Sequence, residues 1–470
     1  MRSPLIFLVV LLAGLSSQAS GTPHPNILII LVDDMGYGDL RSYNPESKIP
    51  TPHLDKMARE GIRFTDAHAP GPLCHLSRYG LLTGRYPFRA NTNAWRRQPS
   101  IESGQLTLAS LLKKKGYATS MVGKWHLGFA ENGYDKPLPG GPVDVGFDSF
   151  FGIRASTDIP PYFYIRGNRA VQQPTKTIAA NNSREWSRIQ GAFWRAGGIA
   201  PDLKLADVLP RFTNEAIKVI DDHEPSAGKP LFLYLAYPAP HTPWLPSPKF
   251  KGRSGAGMYG EFCNMVDAEI GRVLQALEHR KLSQSTLVIF TSDNGPVWYE
   301  TDIQRFGHDS AGGLRGMKAD AWEGGHRMPF LVRWPGVVKP GTVTSHLVCF
   351  TDLLTTFAEL TRTKLTEKHN LDSESFLSIL KDPAGKHPPR SPIVMKAGSG
   401  AMMIRDGEWK LINQLGSGGF SSPKRVKPGP GDPRGQLYNL SADPAEQSNL
   451  WQKHPELVRK LTARMEKIAR

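Results

Sequence analysis

Cysteine is scarce in this 470-residue chain: Cys74, Cys263 and Cys349 are the full set. Three thiols allow at most one disulfide, so the chain is not a disulfide-stapled scaffold and needs a hydrophobic core. No apolar run reaches the roughly 20 residues that cross a bilayer, so no transmembrane anchor is expected. Internal repeats are missing too, which excludes a solenoid or propeller. Lys and Arg outnumber Asp and Glu by 58 to 43, a net charge of +15. The basic residues are scattered, however, and no zinc-finger, homeodomain or RNA-recognition pattern accompanies them, so nucleic acid is not an expected partner. The excess attracts polyanions in general.

Hydrophobic residues at 39% and charged residues at 21% are ordinary for a globular chain, and the length suits a large α/β domain with a smaller companion. The 46 glycines and 39 prolines predict many turns and long loops. Arg2, the apolar run Leu5 to Leu15 and the small residues Ser17 to Gly21 read as a secretory signal peptide over residues 1–22. The expected destination is the periplasm or exterior of a bacterium, or the lysosome or exterior of a eukaryotic cell. Asn181-Asn182-Ser183 and Asn439-Leu440-Ser441 fit the glycosylation triplet.

Short apolar runs alternate with helix-compatible stretches, the rhythm of a buried sheet between helices. The residues just past each run carry the information. Asn26 to Val32 empties into Asp33-Asp34, and Thr119 to Val122 into Gly123-Lys124-Trp125-His126. Leu231 to Ala236 leads to Pro240-His241-Thr242-Pro243, and Thr286 to Phe290 to Thr291-Ser292-Asp293-Asn294-Gly295. Open α/β sheets bind ligands at the carboxyl ends of their strands, so these four ends are expected to converge.

Asp33, Asp34, Asp293 and Asn294 offer hard oxygen ligands, which suit calcium or, less well, magnesium rather than zinc or copper. Either pair alone is also an ordinary loop start or turn. Lys124, His126, His241 and Lys318 add positive or proton-donating groups suited to a tetrahedral anion and its leaving oxygen.

The segment Cys74-His75-Leu76-Ser77-Arg78-Tyr79-Gly80-Leu81-Leu82-Thr83-Gly84-Arg85 resembles the sulfatase signature, C-x-P-S-R followed by a short helix and L-x-T-G-R. Cys74, Ser77, Arg78, Leu81, Thr83, Gly84 and Arg85 all match, and the likeness extends to the closing Leu437 to Pro444 segment. It is nearest the arylsulfatase A-like branch of the alkaline-phosphatase-like superfamily. The resemblance implies a large mixed β-sheet sandwiched by helices, over residues 23–380. A smaller C-terminal antiparallel-sheet domain with a terminal helix is expected over 381–470, the helix burying Leu457, Leu461 and Ile468.

The resemblance also implies the chemistry. Cys74 would be oxidised by a formylglycine-generating maturation enzyme, and the hydrated aldehyde would attack sulfur with one hydroxyl and expel sulfate with the other. Asp33, Asp34, Asp293 and Asn294 match the calcium ligands, with the modified Cys74 also touching the ion. Arg78 and Lys124 match groups holding the diol, and His126 its hydrogen-bonding partner. His241 and Lys318 match groups that bind sulfate and assist the departing alcohol, with His241 the first choice of proton donor and Lys318 the competing one. Ser156 fits a further polar position, and His308, in Gly307-His308-Asp309-Ser310, is a candidate substrate contact. The segment Trp322 to Arg327 is expected to border the pocket.

One position departs from the pattern: Leu76 stands where the family has proline, in the segment that the converting enzyme takes as an extended peptide. The expected substrates are sulfated carbohydrates, which the basic balance favours, with aryl sulfates as artificial ones. Two alternatives stay open. A phosphatase or phosphodiesterase of the same fold would carry serine or threonine at position 74, and a non-catalytic binder of sulfated glycans would not need Cys74 at all.

Overall fold

The four apolar runs lie side by side in a ten-stranded mixed sheet in the computed structural model, which describes residues 24–224, 228–366, 369 and 372–470. The expected signal peptide lies outside the described residues. Strands Thr286–Ser292, Asn26–Asp33, Leu231–Pro240, Ala118–Lys124 and Ser149–Ile153 are neighbours in that order and run parallel. Strand Phe330–Arg333 is antiparallel to the first of these and makes the sheet mixed. Asn26–Asp33 is buried along its whole length. Its unbroken run of Ile, Leu and Val, rather than an alternating pattern, is what a strand covered on both faces requires.

Helices Pro52–Glu60, Val208–Asp221 and Gly257–His279 pack together as one layer on this sheet. Cys74–Thr83, Leu108–Lys114 and Asp352–Leu360 form another group. Register then decides what the strand ends present. Ile29 lies opposite both Tyr234 and Ile289, which sets Val32 level with Ser292, and a register shift between Leu31 and Asp33 brings Asp33 level with Pro240. The Asp33-Asp34 end therefore sits between His241 on one side and Asp293-Asn294 on the other.

The C-terminal region forms a second, four-stranded antiparallel sheet of Ile393–Lys396, Met402–Asp406, Trp409–Ile412 and Gln436–Asn439. The terminal helix Pro455–Ala469 packs on it through Val458, Leu461 and Met465, while Leu457 and Ile468 are only partly covered. The buried stripe is thus rotated slightly from the expected one, because the helix meets the sheet through positions spaced three and four apart. A division near Lys381 is our proposal for the domain boundary. The Leu377–Lys381 helix belongs to the large core, whereas the small sheet's core also takes in Tyr86, Trp322 and Cys349. All three cysteines are buried free thiols, and among the described residues no helix is long and apolar enough to cross a membrane.

Candidate active site

The strand ends turn sharply where the polar residues begin. Asp34, His126 and Ala319 adopt left-handed backbone at φ of 64°, 58° and 71°. Such conformations cost roughly 1–2 kcal/mol per non-glycine residue, and packing must hold them. Gly123, at φ 119°, precedes Lys124 where a side chain could not fit: a Cβ there would meet the Ala236 carbonyl oxygen at 1.9 Å. The glycine lets two neighbouring strands close up and brings Lys124 against Asp33.

Cys74 opens the Cys74–Thr83 helix and points its thiol at Asp33, Sγ to Oδ1 3.3 Å. Lys124 donates from Nζ to the other oxygen of Asp33. One turn further along the helix, Arg78 is fully buried and uses its guanidinium as a clamp. Nε and Nη2 donate to Asp293 Oδ2 at 2.9 and 2.7 Å, Nη2 also to Asp33 Oδ2 at 3.0 Å, and Nη1 to the Lys124 carbonyl at 2.9 Å. Lys318 Nζ donates to both oxygens of Asp34, at 2.6 and 2.8 Å. Asn294 Nδ2 donates to Asp34 Oδ1 at 2.6 Å. His241 stands between two carboxylates, Nε2 3.6 Å from Asp34 and Nδ1 3.9 Å from Asp158.

Charge balances within this cluster, with Asp33, Asp34 and Asp293 opposing Arg78, Lys124 and Lys318. Burial alone would raise the pKa of Asp33, but Lys124, His241, Arg78 and Lys318 outweigh it and hold the carboxyl well below the usual range. Asp293 goes the other way: burial and then the negative charge of Asp33 push it up to about 6, against Arg78 and Lys124. Burial works against the charge of Lys318, yet Asp34 and the other acidic groups keep its ammonium firmly protonated. Burial, helped by Asp293 and Asp33, pushes the Cys74 thiol well above its ordinary value. As an unmodified thiol it stays protonated, and a thiol is a poor nucleophile. Burial and the neighbouring cations leave His126 neutral.

The donor set fits a divalent cation. Single ligand atoms of Asp33, Asp34, Cys74 and His241 all lie within 4.8 Å of one another. Asn294 Oδ1 is a buried acceptor without a hydrogen-bond partner, in a set otherwise rich in carboxylate oxygen. Hard oxygen donors of this kind suit calcium or magnesium. Two positive charges added to a balanced cluster would leave it cationic, the sign that a sulfate monoester anion needs.

The remaining positions are placed less evenly. His126 lies beside Trp95, ring centroids 4.2 Å apart, with both ring nitrogens buried and unpartnered. Ser156 Oγ is likewise buried without a partner. The structure does not bring His308 to the cluster: its Nε2 is 2.9 Å from Asp39 Oδ1, and its Nδ1 accepts from the Lys48 N–H at 3.4 Å. Asp39 is also bonded by Ser310 and Tyr259, so His308 braces the loop behind Asp34. Glu323 and His326 of the Trp322–Arg327 segment belong to another buried network, with His68, Lys410 and Glu446. Asp158 and Trp95 join the site without any expectation from the sequence. Thr157-Asp158 directly follows Ser156, a signal too ordinary to single out, and Trp95 comes from a short loop helix with no motif.

A buried oxygen-ligand cluster at the carboxyl ends of a mixed α/β sheet, with cations and a buried cysteine beside it, is the site layout of an ester hydrolase of the alkaline-phosphatase-like fold. Comparison with known proteins narrows the class. The Sulfatase family model matches residues 25–363. The chain is 33% identical over 99% of its length to N-acetylgalactosamine-6-O-sulfatase of Bacteroides thetaiotaomicron, covering 98% of that protein. It is 34% identical over 96% of its length to human arylsulfatase A, covering 87% of it. A solved Bacteroides thetaiotaomicron structure, described in connection with metabolism of multiple glycosaminoglycans, matches with a TM-score of 0.83 at 32% identity. The match covers 95% of this chain and 100% of that one. The chain belongs to the sulfatase family, whose members are sulfuric ester hydrolases.

Proposed function

We propose that this protein hydrolyses sulfate esters on sulfated carbohydrates, 6-O-sulfated amino sugars foremost, with a nucleophile made from Cys74 and a calcium ion held by Asp33, Asp34, Asp293 and Asn294. The observation that carries the reading is the meeting of Cys74, Asp33, Asp34 and His241 within 4.8 Å, from separate parts of the chain. The activity for which the Bacteroides relative is named supports the carbohydrate class. Conversion of Cys74 to formylglycine would supply a hydrated aldehyde nucleophile, and calcium would supply Lewis acidity toward the sulfate oxygens.

The chain's own residues supply the rest. Arg78 holds Asp33 and Asp293 in place from behind, so the acidic oxygens keep their aim. Lys124 and Lys318 present fixed positive charge to the sulfate, where charge develops toward the bridging oxygen. His126, neutral and with both nitrogens free, would accept a proton from the hydrated aldehyde once Cys74 is converted. His241 is the proton donor to the departing alcohol. Lys318 is held by both oxygens of Asp34, which commits its ammonium to charge, whereas His241 makes only longer contacts to carboxylates. A phosphatase reading is less well supported, since position 74 carries no hydroxyl.

Peptide mass spectrometry across Cys74, on protein from its native host or from cells with a working maturation system, tests the reading. Loss of the thiol mass in favour of an aldehyde is the expected result. An unmodified thiol in native protein would sink the mechanism and promote the glycan-binding alternative, with Leu76 as the block to conversion.

A further inference from the structure

The chain leaves the Ser149–Ile153 strand through Arg154, Ala155, Ser156 and Thr157 and buries Asp158 beside His241. Two contacts fix that loop: Arg154 Nε donates to Glu131 Oε1 at 2.9 Å, and the Ile159 N–H donates to the Ser156 carbonyl at 3.0 Å. Thr157 Oγ1 donates to the Thr242 carbonyl at 3.3 Å, which seats the loop against the His241-Thr242 segment. Asp158 is 4% exposed, and its two oxygens differ. Oδ2 accepts from Arg195 Nη1, on a side chain half in solvent. Oδ1 is closed off from solvent and has no hydrogen-bond partner.

A buried carboxylate oxygen without a donor is costly, and one that solvent cannot reach is completed only from within the protein. The group facing it is the His241 ring, with Nδ1 3.9 Å from Oδ1. That separation exceeds an N–H···O hydrogen bond by roughly 1 Å, which a small turn of the ring covers. Nδ1 lies 2.8 Å from the Thr242 carbonyl, which can only accept, so Nδ1 carries a hydrogen. Nε2 is then the nitrogen that faces the acidic cluster, 3.6 Å from Asp34 Oδ2. Hydrogen bonds at reacting centres are often long before substrate arrives and tighten in the complex.

Resting on the reading of His241 as proton donor, we propose that Asp158 is a positioning residue for His241. With substrate bound, the ring turns its Nδ1–H toward Asp158 Oδ1, and the Thr242 carbonyl keeps Thr157 Oγ1 as its donor. A ring held on its Nδ1 side by a fixed acceptor keeps one tautomer and one orientation, so Nε2 stays aimed at the bridging oxygen of the ester. Asp158 acts through His241 and touches neither the substrate nor the acidic cluster. Arg195 ties the other oxygen and balances its charge, and its backbone N–H donates to the Asp158 carbonyl at 3.2 Å, which anchors the loop. Aim and anchorage are thus assigned to different oxygens of one carboxylate, and they can be tested apart.

The test uses the matured full-length protein with a 6-O-sulfated N-acetylhexosamine, whose alcohol leaves poorly, and 4-nitrophenyl sulfate, whose phenol needs little protonation. Asp158→Ala is expected to lower kcat on the sugar ester by about 10–100-fold with KM within about twofold, and kcat on the aryl ester by less than about threefold. In a His241→Ala background the same change should cost less than about twofold on either ester, because no ring is left to aim. Arg195→Gln, which weakens only the anchoring side, should leave kcat on both esters within about twofold. No loss on the sugar ester, equal losses on the two esters, a full further loss in the His241→Ala background, or an equal loss in Arg195→Gln would overturn the role. Should Asp158→Ala fail to fold, Asp158→Leu, which fills the same space without an acceptor, takes its place under the same criteria. A parent that hydrolyses neither ester sinks the sulfatase reading by itself. Crystal structures of the parent and the variant then decide the positioning role: a His241 ring that moves or gains a second rotamer without Asp158 supports it, and an unmoved ring overturns it.

Discussion

Arg78→Ala should unfold this protein more readily than any surface change, because of what the guanidinium holds. It is fully buried and makes four hydrogen bonds, three to the carboxylates of Asp293 and Asp33 and one to the Lys124 carbonyl. Removing it leaves two buried carboxylates short of positive charge, a loss of about 3–5 kcal/mol for a broken buried pair. An unfolding entropy of about 2.1 cal/mol/K per residue gives about 1 kcal/mol/K for a chain this long, so Tm should fall by roughly 3–5 °C. Differential scanning calorimetry at one scan rate measures the shift. Adding Asp293→Asn to the variant removes one stranded charge and should recover a large part of the loss, which a pure packing defect would not show. A single variant melting within about 1 °C of the parent would refute the argument, because the carboxylates would then have found other compensation.

Stripping divalent ions with EDTA should lower Tm, and calcium should restore it better than magnesium; unchanged melting would remove the metal from Asp33, Asp34, Asp293 and Asn294. His241→Ala should cost about 10²–10⁴ in kcat on sugar sulfates, whose alcohols leave poorly, and far less on aryl esters with acidic phenols. Equal losses on both would dismiss His241 as proton donor. Glu446 shares buried Lys410 with Glu323, and burial followed by the charge of Glu323 raises its pKa to about 7, against the pull of Lys410. The folded state therefore holds a proton that the unfolded chain releases above its ordinary carboxylate pKa, so this group's contribution to stability declines as pH rises from about 4.5 to about 7. Glu446→Gln should gain stability relative to the parent across that window, by up to ~3 kcal/mol, in urea melts at several pH values. A difference independent of pH would show that Glu446 is ionised throughout.

Much of the site was legible because strand ends announce themselves. An unbroken β-branched run ending in Asp33-Asp34, or in Asp293-Asn294, marks both a buried strand and the chemistry at its tip, and those tips do meet. His241 stands at the end of an apolar run, whereas His308 reads as a substrate contact from its polar loop alone. Only the fold separated them, sending His308 to Asp39 and His241 to Asp34. Asp158 and Trp95 were illegible for the opposite reason. Their contacts to His241 and His126 join segments far apart in the chain, and neither residue carries a local pattern.

The sequence by itself determined the chemistry on offer: a signature cysteine and arginine one helical turn apart, oxygen donors and cations at four strand ends, and a run of apolar residues suited to a doubly covered strand. Spacing along a helix and alternation along a strand are local properties, and local properties are written in order along the chain. Tertiary structure decided which of those groups share a site, through a strand register that sets Asp33 level with Pro240 and Val32 level with Ser292. It also decided that Asp158, distant in the chain, faces the His241 ring. Burial and charge act through space, so the pKa values, the clamp on Asp293 and the orphaned polar atoms exist only once distant segments have met.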